Sequence, residues 1–364
     1  MNKTIIYGGS FDPVHLGHLQ VAESALHEVG ADKVVFVLAK HPRWKDEKNN
    51  ELDRLRMLEL FLKDTPWAEI SHMELDSPAP VNYSADTVRD YQHQHPDEKL
   101  FFLLGADQAN KFHNWYKNTE LIERAGVLVY ERPGIPLNLD NVITYKMQVV
   151  PGPKSPTSSS LIRELKSADT SIEVLEYIAS HNLYYLPKIK EFISGDRLAH
   201  SLQVAKLAKQ IAEANGLSGS DAYVAGLLHD IGKNISESFQ KEIMQKKYAG
   251  YVDLNKWLHH QFISEYLARE VFGIKSRTIL EAIRKHATGD QNMGPIAMIT
   301  YSADKIEPTR GFDSSSLIAS CMNDYHDGFL KVLAANREYL LAHEKDIYNK
   351  LTKRCFRQYL KESI

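Results

Sequence analysis

Hydrophobic residues in the first half of the chain come in short unbroken runs, at positions 4–7, 33–39, 99–104, 127–130 and 147–150, rich in Val, Ile, Phe and Tyr. Runs of that length without polar alternation suit strands covered on both faces. Between them, apolar positions recur at helical spacing over 16–29, 52–62 and 85–94. Strand alternating with helix predicts βαβ units and a parallel sheet. The Pro-rich piece 151–156 stops the last run, and Ser158-Ser159-Ser160 after it reads as a helix start. Past Pro187 the pattern changes to long amphipathic stretches at 199–215, 221–228, 260–272 and 276–286, and 317–360 reads as continuing helix. No strand run follows, so the pattern predicts an α/β front half, 1–188, and an all-α back half, 189–364, meeting near 187–190.

Length agrees, since 364 residues at about 150 per domain give two domains. With 43% apolar and 25% charged residues the composition excludes disorder and fibrous repeats. The net charge of −3 splits into −6 over 1–188 and +3 over the remainder. Neither half carries the concentrated Lys/Arg surface that a nucleic-acid polymer requires, whereas a small anion needs only a local pocket. Two cysteines, Cys321 and Cys355, rule out a disulfide framework and indicate a reducing compartment. They lack zinc spacing and are expected to be buried and inert. The glycine-broken N-terminus does not read as a secretory signal, and no run reaches the roughly 18 apolar residues of a membrane span. A cytoplasmic protein is expected. His326, His343 and the stretch 324–327 read as solvated helix surface.

Candidate chemistry begins directly after the first strand, in Gly8-Gly9-Ser10-Phe11-Asp12-Pro13-Val14-His15-Leu16-Gly17-His18. Glycines let the backbone turn tightly and approach a phosphate, and the following helix start offers N–H groups and a positive dipole end. His15 and His18, three apart, share one side of the first turn and can donate to phosphate oxygens as charge shifts. The second half holds His200, His229-Asp230, His260, His286 and Asp304. The His-Asp pair follows the apolar run Ala225-Gly226-Leu227-Leu228, and polar residues aimed into a bundle need partners. Imidazoles and carboxylates from several helices gathered on a metal would supply them.

The first motif resembles the (T/H)xGH signature of the nucleotidyltransferase superfamily. Further stations run in the order of nicotinate-nucleotide adenylyltransferases over nearly all of 1–187. Lys45 follows His41-Pro42-Arg43-Trp44, then come Arg54-Leu55-Arg56, Gly105-Ala106-Asp107 with Trp115, Arg132-Pro133-Gly134, and Ser158-Ser159-Ser160-Leu161-Ile162-Arg163. The acceptor loop reads Asn82-Tyr83-Ser84 where the family has Ser-Tyr-Thr, keeping a hydroxyl, and Thr157 replaces an Ile. The resemblance implies a Rossmann-like domain joining nicotinate mononucleotide to the AMP of ATP with release of pyrophosphate. It places Gly8, Gly9, Ser10, Phe11, His15, His18, Lys45, Gly105, Arg132, Ser158, Ser159 and Arg163 on the nucleotides. Of these, His15, His18, Lys45 and Arg163 would act on the reacting phosphates. Tyr83 and Ser84 belong to the acceptor loop, Trp115 would stack on the pyridine ring, and Asp107 would orient it or the ribose. Magnesium would accompany the triphosphate. Such transfer asks for in-line positioning and charge neutralisation rather than covalent work.

The second set resembles the HD superfamily of metal-dependent phosphohydrolases. The flanks Arg197-Leu198-Ala199-His200, Arg284-Lys285-His286-Ala287-Thr288-Gly289 and Ala303-Asp304-Lys305-Ile306-Glu307-Pro308 narrow it to the YqeK type, over about 190–360. Members hydrolyse diadenosine tetraphosphate symmetrically to two ADP. The match selects His260 over His259, although Ser264-Glu265 stands where the family has Gly-Ala. It implies that His200, His229, Asp230 and Asp304 hold one metal, iron or manganese, and His260 and His286 a second bridged by Asp230. Lys233 would meet a phosphate oxygen. The expected protein is thus an α/β adenylyltransferase domain followed by an all-α HD-type domain, with ATP, nicotinate mononucleotide and diadenosine tetraphosphate as partners and neither nucleic-acid polymer nor membrane. The alternatives are an adenylyltransferase for another mononucleotide or phosphopantetheine, and an HD half that senses nucleotides or dimerises.

Overall fold

The computed structural model describes residues 2–40, 50–132, 134–152, 157–343 and 349–361. The chain clusters into two compact units, 1–160 with 169–177, and 161–168 with 178–364. In the first, six parallel strands run β1 Lys3–Gly9, β2 Lys33–Leu38, β3 Ala68–Ser71, β4 Lys99–Gly105, β5 Ala125–Tyr130 and β6 Gln148–Val150, in the order β3-β2-β1-β4-β5-β6. The interior strands are apolar on both faces: Ile5, Ile6, Val34, Phe36 and Leu38 have no exposed surface. Each such side chain contributes about 1.5–3 kcal/mol of burial.

Strand order reverses between β1 and β4, and open sheets of this kind bind ligands beyond the strand ends at that reversal. Gly8-Gly9 end β1, and Gly105 ends β4. Helices Leu16–Val29, Glu51–Leu62, Ser84–Gln94 and Asn118–Arg124 provide crossovers, the first three at the expected places. β3 escaped the hydrophobic pattern because three of its four residues are only partly buried, Glu69 is exposed, and it pairs with β2 alone.

The second unit is helical among its described residues. Helices Gly195–Ala214, Gly219–Leu228, His260–Glu270 and Arg277–Lys285 match the four amphipathic stretches within a few residues. Helix Pro295–Ile306, ten of whose twelve residues are buried, is not among the stretches expected from the pattern. The stretch 317–360 is not one helix. It divides into Ser315–Asn323, Tyr325–Ala342 and Lys350–Tyr359. Asp324 breaks the first join with an extended backbone and caps the next helix by accepting from the Asp327 N–H at 2.8 Å. Gly328 then lets the two helices meet closely, since a Cβ there would lie 2.5 Å from the Cys321 backbone. Both cysteines are buried and free, while His326 and His343 are exposed. No helix among the described residues is long and apolar enough to cross a membrane.

Candidate active sites

The turn after β1 is fixed by contacts that leave its open side to a ligand. A Cβ on Gly9 would sit 2.8 Å from the Phe11 ring, so only glycine fits there. Arg54, with no exposed surface, donates to the carbonyls of Ser10 (3.0 Å), Ala39 (2.8 Å) and Lys40 (3.2 Å), tying the turn to the end of β2. Ser159 Oγ donates to the Pro13 carbonyl and Thr170 Oγ1 to that of Val14. His15 caps helix Leu16–Val29, and its N–H donates to His18 Nδ1 at 3.2 Å while the two rings stack at 3.7 Å. Accepting at Nδ1 places the proton of neutral His18 on Nε2, a donor for an anion. Gly17 permits the stack: a Cβ would lie 2.8 Å from Thr157 Cγ2 and 3.1 Å from the His15 ring.

His18 lines a cavity of about 340 Å³ together with Gly8, Gly9, Ser10, Phe11, Tyr83, Ser84, Gly105, Asp107, Trp115 and Arg132. Eleven residues singled out in the sequence therefore meet in one space at the sheet reversal. Arg132 pairs with Asp107 at 3.2 Å and donates to the Tyr130 hydroxyl at 2.6 Å. A Cβ on Gly105 would lie 2.9 Å from both Arg132 Nε and Asp107 Oδ1. Trp115 is half-buried against Phe102 and Phe112, so it serves the core as well as the cavity. Tyr7, Glu74, Tyr116 and Tyr130 line the same space and carried no sequence signal beyond the adjacency of Tyr116 to Trp115. The Tyr116 ring lies 4.3 Å from that of Tyr83.

His15, Ser158 and Ser159 lie outside the cavity lining, the serines flanking the start of helix Ser159–Arg163. Arg163 ends that helix, in the segment that clusters with the second unit. Lys45, with 41–44, and Pro133 fall outside the described residues.

In the second unit His200, His229, Asp230, His260, His286 and Asp304 converge from five helices or their ends. Asp304 Oδ1 lies 3.1 Å from His200 Nε2 and 3.6 Å from His229 Nε2. Asp230 Oδ1 lies 3.4 Å from His260 Nε2 and 3.5 Å from His286 Nε2. Two ligand-like groups form, His200–His229–Asp304 and His229–Asp230–His286.

The other ring nitrogen of each histidine is already engaged. Nδ1 of His229, His260 and His286 bonds the carbonyl three residues earlier, of Gly226, Trp257 and Ile283, at 2.6–2.7 Å. Nδ1 of His200 bonds Glu307 Oε1 at 3.0 Å. In the neutral ring a proton held on Nδ1 leaves the Nε2 lone pair facing the cluster, the arrangement usual for imidazole ligands. The Nε2 atoms of His260 and His286 are 3.0 Å apart, a repulsive pair of lone pairs unless a cation is shared. His229 Nε2 and Asp230 Oδ1 are buried and have no hydrogen-bond partner. Imidazoles and carboxylates so arranged fit a divalent transition metal.

Charge in the cluster is strongly coupled. Burial pushes Asp230 up, but the histidines, His229 foremost, outweigh it and hold the carboxyl well below its ordinary value. Burial likewise opposes Asp304, and Lys305, His200 and His229 hold it low. His229 would fall by burial, yet Asp230 and Asp304 push it up to about 9. His260 falls to about 3 through burial and the neighbouring His286. Three cations contact the carboxylates: Lys233 Nζ on Asp230 (2.6 Å), Lys305 Nζ on Asp304 (2.6 Å), and Arg310 on both the carboxylate (2.6 Å) and the carbonyl of Asp304. From sequence, Lys305 and Glu307 stand out only as flanks of Asp304, and Arg310 not at all, although all lie within six residues of Asp304. His260, His286 and Asp304 open onto a cavity of about 730 Å³, which the three cations also line.

Known proteins line up with both units. The cytidylyltransferase-like family matches residues 6–165, and the HD domain family residues 197–309. A Mycoplasma genitalium protein named probable nicotinate-nucleotide adenylyltransferase/Ap4A hydrolase is 30% identical over 312 residues, covering 85% of this chain and 88% of that protein. Its Mycoplasma pneumoniae namesake is 30% identical over 330 residues, covering 88% and 95%. Among solved structures, one described as a predicted HD superfamily hydrolase involved in NAD metabolism, from Clostridium acetobutylicum, is 27% identical. It has a TM-score of 0.42 and covers 48% of this chain and 96% of its own.

Proposed function

The chain belongs to the family of fused nicotinate-nucleotide adenylyltransferase/Ap4A hydrolases, and from that premise we propose a residue-level account of two activities. The front half is the adenylyltransferase and the back half the hydrolase. The observation that carries the hydrolase reading is a buried cluster whose four histidines all reserve Nε2, beside a cavity lined by three cations.

In the front half, ATP and nicotinate mononucleotide meet at the sheet reversal. The glycine turn admits the phosphates, and His18 donates from Nε2 to oxygens that gain charge during transfer. The acceptor phosphate oxygen attacks the α-phosphorus of ATP and pyrophosphate leaves. Holding the two in line supplies up to roughly 7–11 kcal/mol of the barrier. Trp115 stacks on the pyridine ring, and Arg132 with Asp107 fixes the cavity wall beside it. By the family resemblance Lys45, Ser158, Ser159 and Arg163 are also assigned to the triphosphate, which magnesium would accompany.

In the back half, His200, His229, Asp230 and Asp304 would hold one metal, and His260 and His286, with Asp230, would hold a second. Iron or manganese suits that donor set. Bound metal would lower the pKa of a water toward ~7 and polarise phosphoryl oxygens. Lys233, Lys305 and Arg310 bind the polyphosphate, and Asp230 and Asp304 keep those cations placed. Water enters at a central phosphorus of diadenosine tetraphosphate, the central bridging P–O bond breaks, and two ADP leave. Both activities are placed in the cytoplasm with their substrates.

Chromatography of the products separates symmetric from asymmetric cleavage. Two ADP support the reading, whereas ATP with AMP would replace it. For the front half, pyrophosphate release is followed with ATP and a panel of mononucleotides. Nicotinate mononucleotide is expected to be preferred, and a stronger response to phosphopantetheine or another mononucleotide would reassign the acceptor.

A further inference from the structure

One stripe of helix Tyr325–Ala342 lines the larger cavity, and it is apolar except at its centre. Val332, Ala335, Tyr339 and Leu340 fall at helical spacing on that face, with Asn336 among them. The cavity thus joins the metal-ligand cluster and its cations at one part to an apolar wall at another. A polyphosphate held at Lys233, Lys305 and Arg310 leaves its flat, apolar nucleobase to fill the remainder.

Most uncharged polar side chains along the lining are committed to the fold. Asn349 accepts from the N–H groups of Leu351 and Thr352 and donates to Thr352 Oγ1, and Thr352 Oγ1 donates to the Thr288 carbonyl. Thr288 Oγ1 donates to the Gly289 carbonyl. Asn336 differs. Its Nδ2 donates to the fully buried Tyr301 hydroxyl at 2.8 Å, which turns the amide oxygen away from Tyr301.

We infer that Asn336 reads the base of the hydrolase substrate through that oxygen, with Tyr301 as the positioning residue that sets which way the amide faces. The inference rests on the hydrolase reading above. An amide oxygen accepts from an exocyclic amino group, which adenine carries at C6. It opposes the carbonyl that guanine carries at the same place, leaving two acceptors facing each other. The subsite therefore favours adenine over guanine.

The test compares kcat/KM for diadenosine and diguanosine tetraphosphate, and calorimetric binding of ADP and GDP, in manganese-supplemented full-length protein. Binding at the front half is common to all variants, so differences between them report the hydrolase cavity. The unaltered protein should favour the adenine ligand roughly tenfold, the effect of one mispaired buried hydrogen bond. Asn336→Ala should bring the ratio close to one. Asn336→Asp, which still accepts, should retain the preference, and the repulsion of its charge from the polyphosphate, common to both ligands, cancels in the ratio. Tyr301→Phe should lower the ratio although it touches no ligand, an effect that mere packing would not produce. An Asn336→Ala ratio equal to that of the unaltered protein, or no adenine preference at the outset, would overturn the inference. If neither tetraphosphate is hydrolysed the functional reading falls, while the ADP-to-GDP binding ratio still decides the role of Asn336.

Discussion

Replacing Glu307 by Ala removes the oxygen that accepts from His200 Nδ1 at 3.0 Å. Glu307 is buried, and its carboxylate also accepts from the Thr309 N–H and hydroxyl, both at 2.7 Å. Burial pushes its carboxyl up, but the bonds from Thr309 and His200 hold it below the ordinary glutamate value, so it is ionised at neutral pH. His200 alone among the four histidines rests on a carboxylate; the others rest on backbone carbonyls that no substitution removes. Loss of such an outer partner costs about 10–100-fold in metal affinity, or ~1.4–2.7 kcal/mol. Glu307→Ala should approach the upper figure, and Glu307→Gln, which keeps an acceptor without its charge, should stay near tenfold. Titration of chelator-stripped protein with manganese, followed by electron paramagnetic resonance, should show one weakened class of site and one unchanged. Two classes of unchanged affinity would refute the reasoning, even with a lowered thermal midpoint, because Glu307 would then only cap its turn.

Other consequences follow from the same geometry. Glu307 is held below its unfolded value, so its stabilisation is present above the ordinary glutamate range and lost as pH falls through the folded value. The gap in thermal midpoint between the unaltered protein and Glu307→Gln should accordingly close on acidification. Arg54→Leu removes three bonds from a buried guanidinium and should destabilise the first unit by roughly 3–5 kcal/mol, lowering adenylyl transfer while tetraphosphate hydrolysis persists. Gly105→Ala should push Arg132 and Asp107 apart and raise the KM for the acceptor mononucleotide more than it lowers kcat.

Legibility from sequence followed burial and periodicity. Interior strands such as Lys33–Leu38 are unbroken apolar runs and read as strands at once, whereas Ala68–Ser71 is short, half-exposed and paired on one side only. Helix Pro295–Ile306, ten of whose twelve residues are buried, is not among the stretches read from the pattern. Its Asp304 was found through the family pattern and not through periodicity. The glycine turn and the His-Asp pair stood out because their chemistry is concentrated in a few consecutive residues. Arg310 and Asn336 did not, and Lys305 and Glu307 did so only as flanks of the Asp304 motif, since a charged or amide side chain reads as solvated surface until its partners are placed around it. Arg54 was recognised as a family station, but its work on three carbonyls could be seen only in three dimensions.

Product chromatography on three full-length proteins tests most directly that two independent chemistries reside in one chain. The unaltered protein, His18→Ala, and the double variant His229→Ala with Asp230→Ala are each given ATP with nicotinate mononucleotide and, separately, diadenosine tetraphosphate. His18→Ala should lose nicotinate adenine dinucleotide formation and keep ADP formation from the tetraphosphate, and the double variant should show the reverse. Loss of both products in either variant, or of neither, would contradict the account.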